Sequence, residues 1–294
     1  MTSSINYILR RKGVGEKIGP IEEYSETGLI VVRSDQIADT QGLADAKYCF
    51  RWGTTATIPN SAHVESVNEP KAIHWAYDKK TSRKELSDKD LAPYTYNDFE
   101  DYLRAVEEFP ECVAPVIVRP KHHIRSQDLD LCKSPLQVYR AVKKHQEYYI
   151  SEYIEKEAEW RIFVVSGRVM AVVRKIPTDT NLISWGCVDQ GQFKYVPWNE
   201  WPLYATQKAV DAMLVSGLDF GAVDVVSRST GLPEPNAWVL EINTAPELTP
   251  YYMKSITKCF DYIVRNGRGT LPIIAPETWK GYIHPAISDM AVLS

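Results

Sequence analysis

Three oxygen donors in two apolar segments carry the strongest chemical signal in the sequence. Asp224 stands in the middle of Gly221-Ala-Val-Asp-Val-Val226, and Glu241 and Asn243 follow in Val239-Leu-Glu-Ile-Asn-Thr-Ala-Pro246. A carboxylate inside an apolar strand is costly to bury alone, whereas three hard oxygen ligands around Mg2+ offset that cost and let the metal bridge phosphate oxygens. Glu241 and Asn243 also alternate as solvent-facing residues of a strand do, so spacing by itself leaves both readings open. The adjacent His122 and His123 resemble a metal pair only superficially. Neighbouring side chains of a strand or loop point apart, and no third ligand lies close in sequence, which argues against zinc. The hydroxyls and thiols form no Ser/His/Asp or Cys/His arrangement.

Positioning those donors requires two adjacent strands, expected at 221–226 and 237–243, bridged by the turn-forming segment 227–236. Three further β-rich runs precede them, at 147–154, 160–165 and 168–175, the last two joined by Ser166-Gly167 as a tight hairpin, so an antiparallel sheet is implied. Helices are expected at 203–216 and 251–264. Earlier, residues 97–109 place Phe99, Tyr102, Leu103 and Val106 on one helical face, with Asn97 or Asp98 as cap. Ser134-Pro135 is a helix start for 136–145. Strands at 115–118 and 128–132 flank the basic connection Arg119 to Ser126, as in a hairpin. A helical stretch begins at Glu69-Pro70, and the strands 28–33 and 47–51 before it fit a small α/β unit.

With 294 residues the chain exceeds what one core usually organises, so two or three packed subdomains are expected. Apolar residues at 44% and charged residues at 24% are ordinary globular values, and no apolar run is long enough to span a bilayer. The first ten residues lack a signal-peptide pattern, so a cytoplasmic protein is expected. Five scattered cysteines, an odd number without a Cys-x-x-Cys pair, read as buried thiols. The formal net charge of −4 argues against general nucleic-acid binding but leaves room for a local basic pocket. The eight Trp and seventeen Tyr read as core and groove lining rather than base-stacking platforms.

The segments Gly221-Ala-Val-Asp-Val-Val and Leu240-Glu-Ile-Asn-Thr-Ala-Pro-Glu-Leu resemble the metal-binding motif of ATP-grasp ligases, and most closely the glutamate ligases that modify ribosomal-protein tails, with D-alanine:D-alanine ligase more distant. The resemblance implies an α/β (α+β) fold: residues 1–73 as a small α/β domain, 74–154 as a central lobe ending in an adenine hinge, 155–270 as a C-terminal lobe carrying the metal strands, 271–294 as a tail, and antiparallel sheets of the two lobes sandwiching ATP. It implies ATP and two Mg2+ ions, with Mn2+ an admissible substitute, held by Asp224, Glu241 and Asn243. Glu152-Tyr153-Ile154 corresponds to the hinge that reads adenine, and Glu159, seven residues after the hinge acid, to the ribose ligand. Lys79 resembles the first ATP lysine. Arg119 stands where a second lysine is usual, keeping the charge but adding a bulkier fork. Lys121, Arg161, Arg174 and Lys175 complete the expected cations, the last three as stabilisers of the transferred phosphoryl group. The glycine-rich phosphate loop corresponds to His122-His-Ile-Arg-Ser-Gln127, which has no glycine, so side-chain donors such as His123 and Arg125 are expected to replace backbone N–H groups.

The implied reaction converts a carboxylate to an acyl phosphate and couples it to an amine. A kinase-like phosphotransferase and a non-catalytic ATP-binding protein compete with it. Substrates would be small molecules or peptides bearing the carboxylate and the amine, selected by Arg51 to Gly53, Asn181 to Trp185 and Trp198 to Trp201.

Overall fold

A computed structural model gives the fold, and it describes residues 5–110, 115–122, 128–179, 183, 185, 192–229, 236–248 and 250–269. The chain builds three sheets in succession. The first takes β1 (Tyr7–Arg10), β2 (Ile30–Arg33), β3 (Tyr48–Trp52) and β4 (Glu65–Val67), with a short helix α1 (Ile21–Tyr24) between β1 and β2. Its order is β2-β1-β3-β4 and every pair is parallel. Sequence reading takes residues 1–10 for a polar start and misses β1, whose Tyr7, Ile8 and Leu9 are fully buried. A parallel strand covered on both faces shows no alternation, and three apolar residues are too few to announce it otherwise.

The helical stretch after Pro70 is two helices, α2 (Pro70–Tyr77) and α3 (Lys79–Ser87). Asp78 breaks the helix with ψ 86° and caps the next one, accepting from the Thr81 N–H at 3.1 Å. The second sheet follows: β5 (Thr95–Tyr96), α4 (Phe99–Glu108), β6 (Val116–Pro120), β7 (Asp130–Cys132), α5 (Pro135–Val142) and β8 (Tyr148–Glu152). Its strands run antiparallel in the order β5-β8-β6-β7. Asp98 and Ser134 cap α4 and α5 as their sequence positions require.

The third sheet is the largest, with β9 (Ala158–Val165), β10 (Arg168–Ile176), β11 (Gln192–Tyr195), α6 (Leu203–Ser216), β12 (Phe220–Arg228) and β13 (Asn236–Asn243), and α7 (Pro250–Asn266) closes the described chain. The strand order is β11-β10-β9-β12-β13, all antiparallel. Ser166 and Gly167, at φ 44° and 72°, form the two-residue hairpin turn between β9 and β10. One face of the sheet packs Trp160, Val223, Val225 and Val239 against α6. Trp198 and Trp201 are buried in this same core, so they do not line a substrate site as expected from sequence. The other face is divided. Phe163, Ala171, Phe220 and Ala222 pack on α7 and on Phe50 and Trp52 of the first sheet, and beyond them the face turns polar.

Cys49, Cys132 and Cys259 are free and buried; Cys112 and Cys187 lie outside the described residues. Among the described residues no helix is long and apolar enough to cross a membrane.

Candidate functional site

The polar half of the third sheet is where the chemistry gathers. Asp224 on β12 stands opposite Arg161 on β9 and opposite Glu241 on β13. Strict alternation along β13 would put Val239 and Glu241 on one face, yet Val239 is in the α6 core while Glu241 shares the face of Asp224. The register explains this: Asp224 pairs with Glu241 but Val225 pairs with Val239, so Leu240 is the extra residue of a β-bulge that resets the alternation. Past the bulge, Asn243 follows Glu241 on the same face and donates from Nδ2 to Glu241 Oε1 at 3.3 Å.

Around these donors lies a continuous ion network. Arg161 engages Asp224 with both ends of its fork, Nε to Oδ1 at 2.8 Å and Nη2 to Oδ2 at 2.9 Å. Lys175 on β10 donates to Asp224 Oδ2 at 2.8 Å and to Glu159 Oε1 at 2.5 Å. The other oxygen of Glu159 accepts from Lys156, whose ammonium also donates to the Ile183 carbonyl at 3.0 Å and sits 4.8 Å from the Trp185 ring centre. Lys79, on α3, is 3.5 Å from Glu241. Three carboxylates thus face four cations, leaving one net positive charge. Burial alone would push the Asp224 carboxyl up, but Arg161 and Lys175 outweigh it and hold it well below the usual range. Burial likewise works against charge on Lys175, and Asp224 and Glu159 reverse the sign, so its ammonium is held more firmly than usual.

Next to the network a cleft of about 590 Å3, counting its open mouth, separates the second and third sheets. Tyr149, Ser151 and the Glu152-Tyr153-Ile154 connection form one wall, with Val226 and Leu240 opposite and Lys156 and Glu159 between them. The N–H groups of Glu152 and Tyr153 already donate to Tyr94 and Pro115 carbonyls at 2.8 and 2.7 Å. Arg119 and Arg83 reach the same cleft, the Arg83 guanidinium 5.7 Å from the Tyr149 ring centre.

The structure brings together Asp224, Glu241, Asn243, Arg161, Lys175, Glu159 and Lys79, and lines the cleft with Arg119 and the hinge. Lys121 sits apart, bridging Asp78 at 3.3 Å and Glu147 at 3.2 Å. Arg174 does not join the site: it is exposed beside Trp160, 5.5 Å from its ring centre, because neighbouring residues of a strand face opposite ways and Lys175 faces inward. His123 and Arg125 lie outside the described residues. Sequence reasoning did not single out Lys156 and Arg83, each one charge among several in its segment. Glu159, Arg161 and Lys175, which the sequence did single out, meet because strand pairing sets Lys175 opposite Glu159 and Asp224 opposite Arg161.

Hard oxygen donors from Asp224, Glu241 and Asn243 on one face fit a divalent cation such as Mg2+, the third ligand being an amide. Among the described residues no group of three or more His, Cys, Asp or Glu is placed to hold a metal ion.

Two antiparallel sheets thus stand with a cleft between them and an acid pair and a cationic cluster at its side. No protein-family model and no curated protein sequence matches the chain. Solved structures do. D-alanine–D-alanine ligase from Bacillus anthracis superposes with a TM-score of 0.61 at 13% identity, over 89% of this chain and 98% of that one. The ATP-grasp ligase PsnB, complexed with a minimal precursor, matches with a TM-score of 0.61 at 12% identity, over 87% and 98%. A Chryseobacterium gregarium RiPP-associated ATP-grasp ligase, in complex with ADP and a leader and core peptide, matches with a TM-score of 0.56 at 15% identity, over 90% and 98%. The chain has the ATP-grasp fold.

Proposed function

We propose that the protein is an ATP-dependent carboxylate–amine ligase, working through an acyl phosphate on an amino-acid or peptide substrate. The observation that carries this reading is the Asp224, Glu241 and Asn243 face set beside a net-positive cluster at the side of a cleft between two sheets. Solved structures of the same fold support it: one is a complex with ADP and a leader and core peptide, and another a complex with a minimal precursor, Mg and ADP. The glutamate-ligase branch is the sub-class favoured here, on the Leu240-Glu-Ile-Asn-Thr-Ala-Pro segment.

In this mechanism the Glu152 to Ile154 backbone and Tyr149 seat the adenine, while Arg119, Arg83 and Lys79 neutralise the triphosphate. Asp224, Glu241 and Asn243 would hold Mg2+, which would neutralise phosphate charge there. Arg161 and Lys175 stabilise the negative charge developing on the transferred group. A substrate carboxylate oxygen attacks the γ-phosphorus in line and the bond to the ADP oxygen breaks. An amine nitrogen then attacks the acyl carbon, orthophosphate departs, and the nitrogen gives up its proton. No side chain forms a covalent bond, which matches the absence of a recognisable nucleophile arrangement in the sequence.

An ADP-release screen across amino acids and peptides, with mass spectrometry of the products, tests this. A new amide is expected, with Asp224→Ala and Glu241→Ala each lowering ADP release by roughly 100-fold or more. A stable phosphorylated acceptor without a new amide would replace the ligase reading by a kinase-like one. ATP binding without ADP release from any acceptor would leave a nucleotide-binding protein that is not an enzyme.

A further inference from the structure

Every carboxylate that could receive a metal in this site already faces a resident positive or N–H group. Asp224 has Arg161 on both oxygens and shares one with Lys175. Glu159 lies between Lys156 and Lys175. Glu241 has Lys79 on one side and the Asn243 amide on the other. Side-chain exposures of 5% for Asp224 and 6% for Lys175 mean that little water screens these pairs.

From this we infer that Arg161 and Lys175 serve as stand-in counter-ions for Asp224 until a nucleotide arrives, so that a divalent cation enters the site only together with a polyphosphate. The inference rests on the nucleotide-binding reading and adds an order of events to it. A lone divalent cation meets a face with net positive charge and a ligand whose oxygens are taken, and binding it would deprive Arg161 of its carboxylate and leave Lys175 with Glu159 alone. A triphosphate changes the balance. Its oxygens offer Arg161 and Lys175 new anionic partners, the two side chains swing from Asp224 to phosphate, and the carboxylate is released to the metal. Lys175 also links the two ends of the site, because the same ammonium holds Glu159 at the cleft wall and Asp224 at the metal face. Its transfer to phosphate frees an oxygen of Glu159 for the sugar hydroxyls at the same moment.

The test measures Mn2+ binding by electron paramagnetic resonance, alone and with a saturating non-hydrolysable ATP analogue. In the unmodified protein the analogue should raise Mn2+ affinity by about tenfold or more, within the usual range of coupling between two sites. Lys175→Met should raise the affinity for Mn2+ alone by about tenfold while weakening the analogue. Equal Mn2+ affinity with and without bound analogue overturns the inference and leaves the nucleotide site standing, and this comparison needs no variant to fold. A folded Lys175→Met protein with unchanged affinity for Mn2+ alone also overturns it. An analogue that does not bind at all removes the nucleotide reading and the inference with it.

Discussion

Burial and charge pull Asp224 in opposite directions, and the outcome decides what its replacement does. A buried carboxyl by itself prefers to be neutral, but a forked arginine and a lysine within 2.9 Å keep it ionised in the folded state more readily than in the unfolded chain. A carboxylate whose folded value is depressed contributes stability above the unfolded value and loses it as pH falls through the folded one. Asp224→Asn should therefore cost about 3 kcal/mol at neutral pH, since it removes the carboxylate that Arg161 grips with both ends of its fork and leaves Lys175 with Glu159 alone. The gap between the two proteins, read from urea denaturation, should be full above about pH 4 and shrink steadily below it. A pH-independent difference would mean that packing, not charge, holds the residue.

At the scale of elements, the bulge at Leu240 and the glycine at position 53 determine how β13 meets its surroundings. Without the extra residue, Val239 and Glu241 would share a face, and either the core would gain a carboxylate or the site would lose one. Just past Asn243 the strand end meets the first sheet. Gly53 has φ 62°, and a Cβ there would lie 2.6 Å from the Ala245 Cβ and 3.3 Å from the Tyr77 hydroxyl, which itself donates to the Gly53 carbonyl at 2.9 Å. Gly53→Ala should cost about 1–3 kcal/mol in thermal or urea unfolding. By displacing Thr244 and Ala245 it should also weaken metal-dependent ADP release more than it weakens analogue binding in the cleft. Unchanged stability would show that the loop yields without strain.

Across the whole molecule, single polar residues join the sheets. Asn68, fully buried with φ 66°, follows β4 and clamps the start of β12: its Oδ1 accepts from the Asp219 and Phe220 N–H groups at 2.7 and 3.0 Å, and its Nδ2 donates to the Phe220 carbonyl at 2.9 Å. On the opposite side Asp261 of α7 accepts from Ser25, Glu26 and Thr27 of the first sheet's connection. Asn68→Gly keeps access to the left-handed backbone and removes only the amide, so it should cost about 2 kcal/mol. Asn68→Ala adds backbone strain and should cost more. Equal stabilities for the two variants in a denaturant series would discount the backbone contribution. The distribution of charge also belongs to this scale: a protein of net charge −4 gathers a positive excess in one network, which suits capture of a small anion.

The sequence by itself determined which residues could do chemistry and most of the elements that carry them. Helix caps at Asp98 and Ser134, the Ser166-Gly167 turn and the apolar strands around Asp224 are local signals, governed by a few neighbouring residues. It did not show β1, which is recognisable only by the partners on either side, nor the bulge that turns Glu241 toward Asp224. It did not single out Lys156 or Arg83, and it counted Arg174 among the cations of the site. Those assignments depend on which face of a strand or helix is covered, and by what. Pairing between strands tens of residues apart sets that, so only the tertiary structure could decide which charges face one another.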